Sequence, residues 1–310
     1  MSDGQGEREG LLRTLLVRLA RLAELAEPVL ERLGGGRPDP ERLARFAAFR
    51  WDARDGRLVP IVRPLPFDLE DLVGVERPVA RLLRNTEQFV RGLPANHVLL
   101  YGERGTGKSS AVRGLLPRFA ARGLRLVEVH KADLIDLPRV LDALRDAPYR
   151  FLLFCDELSF DEGEAGYREL KAALEGSLEA PPPNVRIVAT SNRRHLVPQH
   201  MAENLEARLD ARGELHLGEA LEEKLALADR FGLVLGFYGF DQATYLAIVE
   251  RYAAQAGLEV AAEELRAEAL RFALERSSRS GRVARQFVDD LAGRLALAGG
   301  AGGAGSDLPN

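Results

Sequence analysis

A single cysteine stands among the 310 residues. That excludes an internal disulfide and suits a reducing cytosol, so a cytoplasmic protein is expected. No charge dominates: 43 Lys and Arg face 47 Asp and Glu, and the net charge of −4 gives no general attraction to nucleic acid or to an anionic membrane. No apolar run is long enough to span a bilayer. The N-terminal stretch "LLRTLLVRLARLAELAEPVLERL" comes nearest, but Arg13, Arg18, Arg21 and Glu24 interrupt it at helical spacing. That is the pattern of an amphipathic helix, neither a signal peptide nor a membrane span. The five histidines, at 97, 130, 195, 200 and 216, lack zinc-site spacing and no cysteine pair joins them. No repeat of solenoid period is present. What is there is ordinary for a soluble globular chain, 46% hydrophobic and 29% charged, with length for two domains or one large domain with appendages.

Periodicity divides the chain. Residues 11–33 read as a helix with leucines on one face, ended by "GGGRPDP". A shorter helix, "ERLARFAAFRW", a strand, "RLVPIV", and the Pro-bearing linker "RPLPFD" follow. From Phe67 short apolar runs alternate with helical patterns: "HVLLY", "LRLVEV", "FLLFC", "VRIVAT" and "LVLGFY". Such alternation predicts an α/β domain with a parallel sheet of five strands covered on both faces. After Gly239 the strands give way to helical patterns over about 241–256, 261–276 and 281–297, and then to a Gly/Ala/Ser tail expected to be disordered. The predicted plan is an extension and linker (1–66), an α/β domain (67–238), a helical domain (239–297) and the tail (298–310).

One junction carries a chemistry. "GERGTGKS", Gly102 to Ser109, fits G-x-x-x-x-G-K-[ST] and lies between an apolar strand and a helix, where a phosphate-binding loop requires it. Glycines let the backbone curl so that successive N–H groups point inward at phosphate oxygens, and the helix N-terminus adds its positive end. The predicted nucleotide contacts are Gly102, Glu103, Arg104, Gly105, Thr106, Gly107, Lys108, Ser109 and Ser110. Lys108 is expected to reach the β- and γ-phosphates, and Ser109 to ligate Mg²⁺. Pro117 should kink or end the helix after about two turns.

A second run, "FLLFCDE", is an apolar strand ending in Asp156 and Glu157. Asp156 falls at a strand's carboxyl end, where ligands bind in open α/β sheets, and is suited to hold Mg²⁺. Glu157 can polarise an attacking water. Cys155, inside the apolar strand, reads as a small buried residue rather than a nucleophile.

From Phe67 to Leu297 these motifs resemble the AAA+ ATPases, and more narrowly a bacterial AAA+ family of ATP-binding proteins of unknown function. "GERGTGKS" is similar to their Walker A and "LLFCDE" to their Walker B. The resemblance implies a P-loop α/β domain followed by a small all-helical lid, with ATP and Mg²⁺ as cofactors. It also implies a sensor-1 Asn192 in "VRIVATSN" and an arginine finger Arg230 in "ADRFGLVLGF". Sensor 2 falls in "SGRVARQF", at Arg282 or Arg285, and adenine-lining residues Val73, Gly74 and Val75 lie in "LEDLVGVE". The implied activity is ATP hydrolysis between subunits of a homo-oligomer that remodels or loads a protein or nucleic-acid client. The alternative is an ATP-dependent switch or adaptor with little turnover.

Other features carry less. "HKAD", His130 to Asp133, nearly matches a guanine reader but has His where Asn should bind the base, and it precedes the carboxylate strand. "RRH", Arg193 to His195, is a small basic patch after sensor 1 that reads as a solvated loop. "EAPPPN" reads as a stiff spacer. No acceptor pocket for a small-molecule kinase is legible, and no motif names the client. The N-terminal amphipathic helix is the best candidate adaptor surface.

Overall fold

The five apolar runs that the sequence marks as strands after Phe67 lie in one sheet, and two strands from the preceding segment extend it, the second of them within the expected "RLVPIV". The computed structural model describes residues 18, 21, 38–65, 67–160, 165–175, 180–192, 208–209, 215–216 and 227–300. The chain runs through α1 (Pro40–Arg45), β1 (Ala48–Asp52), β2 (Arg57–Pro60), a 3-10 turn (Leu69–Asp71), α2 (Glu76–Val90) and β3 (Val98–Gly102). It continues through α3 (Lys108–Arg113), α4 (Leu115–Phe119), β4 (Leu124–Glu128), α5 (Leu137–Leu144), β5 (Arg150–Cys155), α6 (Ala165–Glu175) and β6 (Val185–Ser191). A two-residue pair, β7 (Arg208–Leu209) with β8 (Leu215–His216), precedes β9 (Leu233–Phe237), and α7 (Gln242–Gln255), α8 (Ala262–Glu275) and α9 (Gly281–Gly300) close the chain.

The large sheet has the order β2-β1-β4-β5-β6-β3-β9. Every pairing in it is parallel except the β1–β2 hairpin. Alternating side chains serve two cores. Leu99, Val127, Leu153 and Ile187 pack on one face, while Val98, Leu100, Leu126, Phe154 and Val188 pack on the other. With both faces buried, the central strands are apolar at nearly every position, which is why the sequence marked them so clearly. Helix α2 covers one face with Val79, Leu82 and Phe89 at helical spacing.

The sheet differs from the expected five strands by the β1–β2 hairpin, and the segment "ERLARFAAFRW" is not one helix. Asp39 caps α1 by accepting from the Glu41 amide at 2.9 Å, with Pro40 at the first turn. At Phe46 the backbone turns extended, and Phe49 and Trp51, two residues apart, enter the core beside Val127. The edge of β4 decides the outcome. Pairing Ala48–Arg50 with Leu126–Glu128 satisfies backbone groups that would otherwise stay open, and tertiary pairing overrides helix propensity. The extension assigned to residues 1–66 thus contributes two strands to the sheet.

Pro117 acts one turn earlier than its own position. Lacking an amide, it cannot bond the Arg113 carbonyl, and the helix breaks at Gly114 between α3 and α4. Helices α7, α8 and α9 form their own core around Tyr245, Ile248, Ala269, Phe287 and Val288, with α9 extending three residues past the expected Leu297. Of the helix expected over 11–33 only Arg18 and Arg21 are described, both helical. The patch Arg193–His195 and the tail beyond Gly300 lie outside the described residues. Among those described, no helix is long and apolar enough to cross a membrane.

Candidate functional site

Three neighbouring strands end at one cleft. β3 runs into the loop before Lys108, β5 ends just before Asp156 and Glu157, and β6 ends just before Asn192. Because β5, β6 and β3 are adjacent and parallel, residues distant in sequence meet at their carboxyl ends. The cleft there has a volume of about 620 Å³, with the sheet rim as floor and the three-helix domain as roof.

The loop is shaped by glycines at two tight places. Gly102 has φ 136°, and a Cβ there would lie 1.8 Å from the Phe237 carbonyl oxygen of β9. Gly107 has φ 96°, and a Cβ would lie 2.5 Å from Leu72 Cδ2. Neither position admits a side chain. α3 then starts without a side-chain cap. Its first amides are left for water or an anion.

Lys108 is buried to 7% exposure, and its Nζ donates to the carbonyls of Gly102 (2.8 Å) and Glu103 (2.6 Å) and to Asn192 Oδ1 (3.2 Å). Burial pushes its ammonium below the usual lysine range. Asp156 and Glu157 oppose that shift, while Arg104 and Arg282 add to it. A buried cation among carbonyl dipoles, with two more cations near, is a place for an anionic ligand.

The carboxylates are tied just as closely. Asp156 Oδ1 accepts from Ser109 Oγ at 2.7 Å and from Thr190 Oγ1 at 2.5 Å, and Asp156 Oδ2 lies 3.9 Å from Arg113. Glu157 sits at φ 53°, unusual for a residue with a side chain, and its amide donates to Thr190 Oγ1 at 2.9 Å. Burial pushes the Cys155 thiol up to about 12, so it is inert beside them.

The fit to the expected ligands follows from these atoms. A hydroxyl and a carboxylate already in contact are hard oxygen donors of the kind Mg²⁺ takes, and Ser109 and Asp156 could hold it. The glycine-walled loop with Lys108 could hold phosphates. Leu72, Val73, Phe240, Ile248 and Tyr252 give the other end of the cleft an apolar wall suited to a base.

The structure brings Arg104, Gly105, Thr106, Gly107, Lys108, Ser109, Ser110, Asp156, Glu157, Asn192, Arg282 and Arg285 to the cleft wall. Arg285 stacks 3.8 Å above the Tyr252 ring, whereas Arg282 stands in the first turn of α9. Gly102 and Glu103 serve through their carbonyls, and the Glu103 carboxylate lies against Gly239 away from the cleft. Among Val73, Gly74 and Val75 only Val73 lines the cleft; Val75 is buried in the core beneath, and the Gly74 amide is held by Glu76.

Arg230 is not at the cleft of its own chain. It precedes β9 at the opposite rim, where it pairs with Glu175 at the end of α6. The strand alone separates the two rims by roughly 13 Å. His130 and Asp133 of "HKAD" do not line the cleft either.

The sequence reading missed Thr190, Arg113 and the lid residues Phe240, Ile248 and Tyr252. Thr190 had a signal, a polar residue near the end of an apolar strand and two positions before Asn192. Arg113 and the lid residues had none, since only the packing of α3 and α7 brings them in.

A family model described as "Protein of unknown function (DUF815)" matches residues 44–295. No curated protein matches the sequence. Among solved structures, the chain is similar to the Thermotoga maritima RuvB Holliday junction branch migration motor. That match has 18% identity over 75% of this chain and 66% of that one, with a TM-score of 0.52. A mutant of the same Thermotoga maritima protein matches at 17% identity over 75% and 67%, with a TM-score of 0.54. The chain thus spans about two thirds of the RuvB chain. This likeness shows the fold alone, a mostly parallel α/β sheet flanked by helices and followed by a helical domain.

Proposed function

The chain belongs to the DUF815 family, and we propose that it is an AAA+ ATPase that binds Mg·ATP in the cleft and hydrolyses it to ADP and phosphate. The observation that carries this reading is the meeting of Lys108, Ser109, Asp156, Glu157, Asn192 and Arg282 on one cleft wall. Each has a distinct duty in phosphoryl transfer. Lys108 and the loop amides bind the β- and γ-phosphates, and Asn192, already bonded to Lys108 Nζ, orients that cation. Ser109 and Asp156 would hold Mg²⁺, which when bound neutralises charge on the phosphates. Glu157 orients and deprotonates the attacking water, and Arg282 reaches the phosphates from the lid. Val73, Phe240 and Tyr252 take the adenine.

Arg230 enters this reading as a group supplied to a neighbouring copy. It is remote from its own cleft, so a contribution to hydrolysis requires a homo-oligomer in which one subunit's Arg230 meets the next subunit's phosphates. Hydrolysis so placed drives work on a protein or nucleic-acid client. One observation favours the second reading, an ATP-dependent switch with little turnover: within one subunit Arg230 is engaged by Glu175.

Glu157→Gln separates the two. Its carbonyl oxygen keeps the size of the side chain but is no base, so Mg·ATP affinity should hold while turnover falls about 10²-fold or more. Calorimetry and phosphate release read the two quantities. Wild-type protein that binds Mg·ATP but releases no phosphate at any protein concentration would establish the switch instead.

A further inference from the structure

We propose that Thr190 is a positioning residue that sets the metal-holding carboxylate and the water-orienting glutamate from one hydroxyl. This rests on the nucleotide-site reading of the same cleft. The geometry is specific to an oxygen that both donates and accepts. Thr190 is fully buried at 0% exposure, and its Oγ1 donates to Asp156 Oδ1 at 2.5 Å while accepting from the Glu157 amide at 2.9 Å.

The backbone adds a second grip. The Leu158 amide donates to the Thr190 carbonyl at 2.7 Å, and Ser191 Oγ donates to the Leu158 carbonyl at 2.7 Å. The turn after β5 is therefore fastened to the end of β6 on both sides of Glu157. That explains how Glu157 keeps φ 53°, a conformation that costs free energy unless its surroundings hold it there.

The hydroxyl also orients the carboxylate. Oδ1 of Asp156 is occupied by Ser109 and Thr190 together, and Oδ2 is turned to the side of Arg113 and the cleft. Without the Thr190 donor, the carboxylate keeps one hydrogen bond on Oδ1 and is free to rotate about its χ2. Groups that orient a metal-holding carboxylate typically change metal affinity 10- to 100-fold when removed. Serine can replace Thr190 in both bonds; valine fills the same space and can make neither.

The test measures ADP affinity by calorimetry with Mg²⁺ and in EDTA, for wild type, Thr190→Val and Thr190→Ser. Circular dichroism melting confirms that each is folded, and the serine variant carries the test if valine is not. The proposal expects the gain in affinity that Mg²⁺ gives to wild type to fall about tenfold or more in Thr190→Val, with metal-free affinity unchanged. Thr190→Ser should restore at least most of that gain. An equal Mg²⁺ gain in wild type and Thr190→Val, or a valine variant weakened equally with and without metal, would overturn it. So would a wild type whose ADP affinity ignores Mg²⁺, or, where valine does not fold, a serine variant lacking the gain. Turnover is read separately: a wild type that shows the Mg²⁺ gain but releases no phosphate sinks hydrolysis and leaves Thr190 in place.

Discussion

Both rims of the sheet carry buried polar side chains and use them in opposite ways. At the amino ends of the strands, Asn184, Arg186 and Arg125 donate to backbone carbonyls. Asn184 Nδ2 donates to the Leu144 and Ala147 carbonyls at 2.8 and 3.1 Å, and Arg186 Nε to the Ala95 carbonyl at 2.8 Å. Arg125 Nε reaches the Leu43 carbonyl at 2.7 Å, with its guanidinium 4.1 Å over Tyr149. At the carboxyl ends the side chains bond largely to one another, around a cleft: Ser109 and Thr190 to Asp156, and Lys108 to Asn192. Polar groups that donate to main-chain carbonyls fix strands in place. Polar groups that hold one another beside a cavity can exchange those bonds for a ligand's, and that is the physical mark of the site.

The largest effect expected from this contrast is at Lys108. Lys108→Ala removes the buried cation of the loop, and Mg·ATP binding should fall by about 3 kcal/mol or more, roughly 150-fold. The fold should survive, since the lost bonds are to carbonyls already at the protein surface of the cleft. Calorimetric affinities within threefold of wild type would show that the carboxyl rim does not bind nucleotide.

Arg230 could break the contrast, being an amino-rim residue assigned a catalytic duty in a neighbour. Arg230→Ala should lose about 10³ in turnover at saturating Mg·ATP, with affinity in one subunit nearly unchanged. Mixing it with Lys108→Ala should then restore part of the activity, because some interfaces pair an intact loop with an intact Arg230. Mixed oligomers confirmed by pull-down, yet without recovery, would return Arg230 to the structural set with Glu175.

His97 sharpens the contrast from the other side. Its Nδ1 accepts from the Ile187 amide at 2.9 Å, which requires the neutral ring. Burial first, and Arg186 second, pull its pKa down from 6.5 to about 4. The folded value lies below the unfolded one, so the unfolded chain takes the proton first. The stability is complete above about pH 6.5 and is lost as pH falls toward 4, by up to about 3 kcal/mol. Urea unfolding at pH 7 and pH 4.5 should show that loss in wild type and much less of it in His97→Gln. The same slope in both proteins would place the titration elsewhere.

The carboxyl rim was far more legible in the sequence than the amino rim, for a physical reason. A phosphate loop needs glycines and a lysine at fixed spacing, so Gly102, Gly107 and Lys108 announce themselves, and a carboxylate pair ending an apolar run does nearly the same. The central strands were legible because burial on both faces makes them apolar throughout. Strand β2 was legible in "RLVPIV", but β1 was not, because "ERLARFAAFRW" holds a helical and a strand period together and only the open edge of β4 chooses. The turn after β1 did leave a trace: Asp52 Oδ1 accepts from the Arg54 amide at 3.0 Å, ahead of Gly56 at φ 63°. Val75 misled because an apolar residue beside a binding segment looks the same whether it faces ligand or core. Phe240, Ile248 and Tyr252 were invisible as site residues because the fold of the lid, rather than any local spacing, carries them to the cleft.

Amide hydrogen exchange with and without Mg·ATP tests the central claim most directly, since it reports where along the chain the nucleotide acts. Protection should rise in the loop Gly102–Ser110, in Asp156–Leu158, at Thr190–Asn192 and in the first turn of α9, and the amino-rim amides at Ile187, Leu126 and Leu233 should stay as they were. Protection that is absent from Gly102–Ser110, or that appears only at the amino rim, would contradict the assignment of the cleft as the nucleotide site.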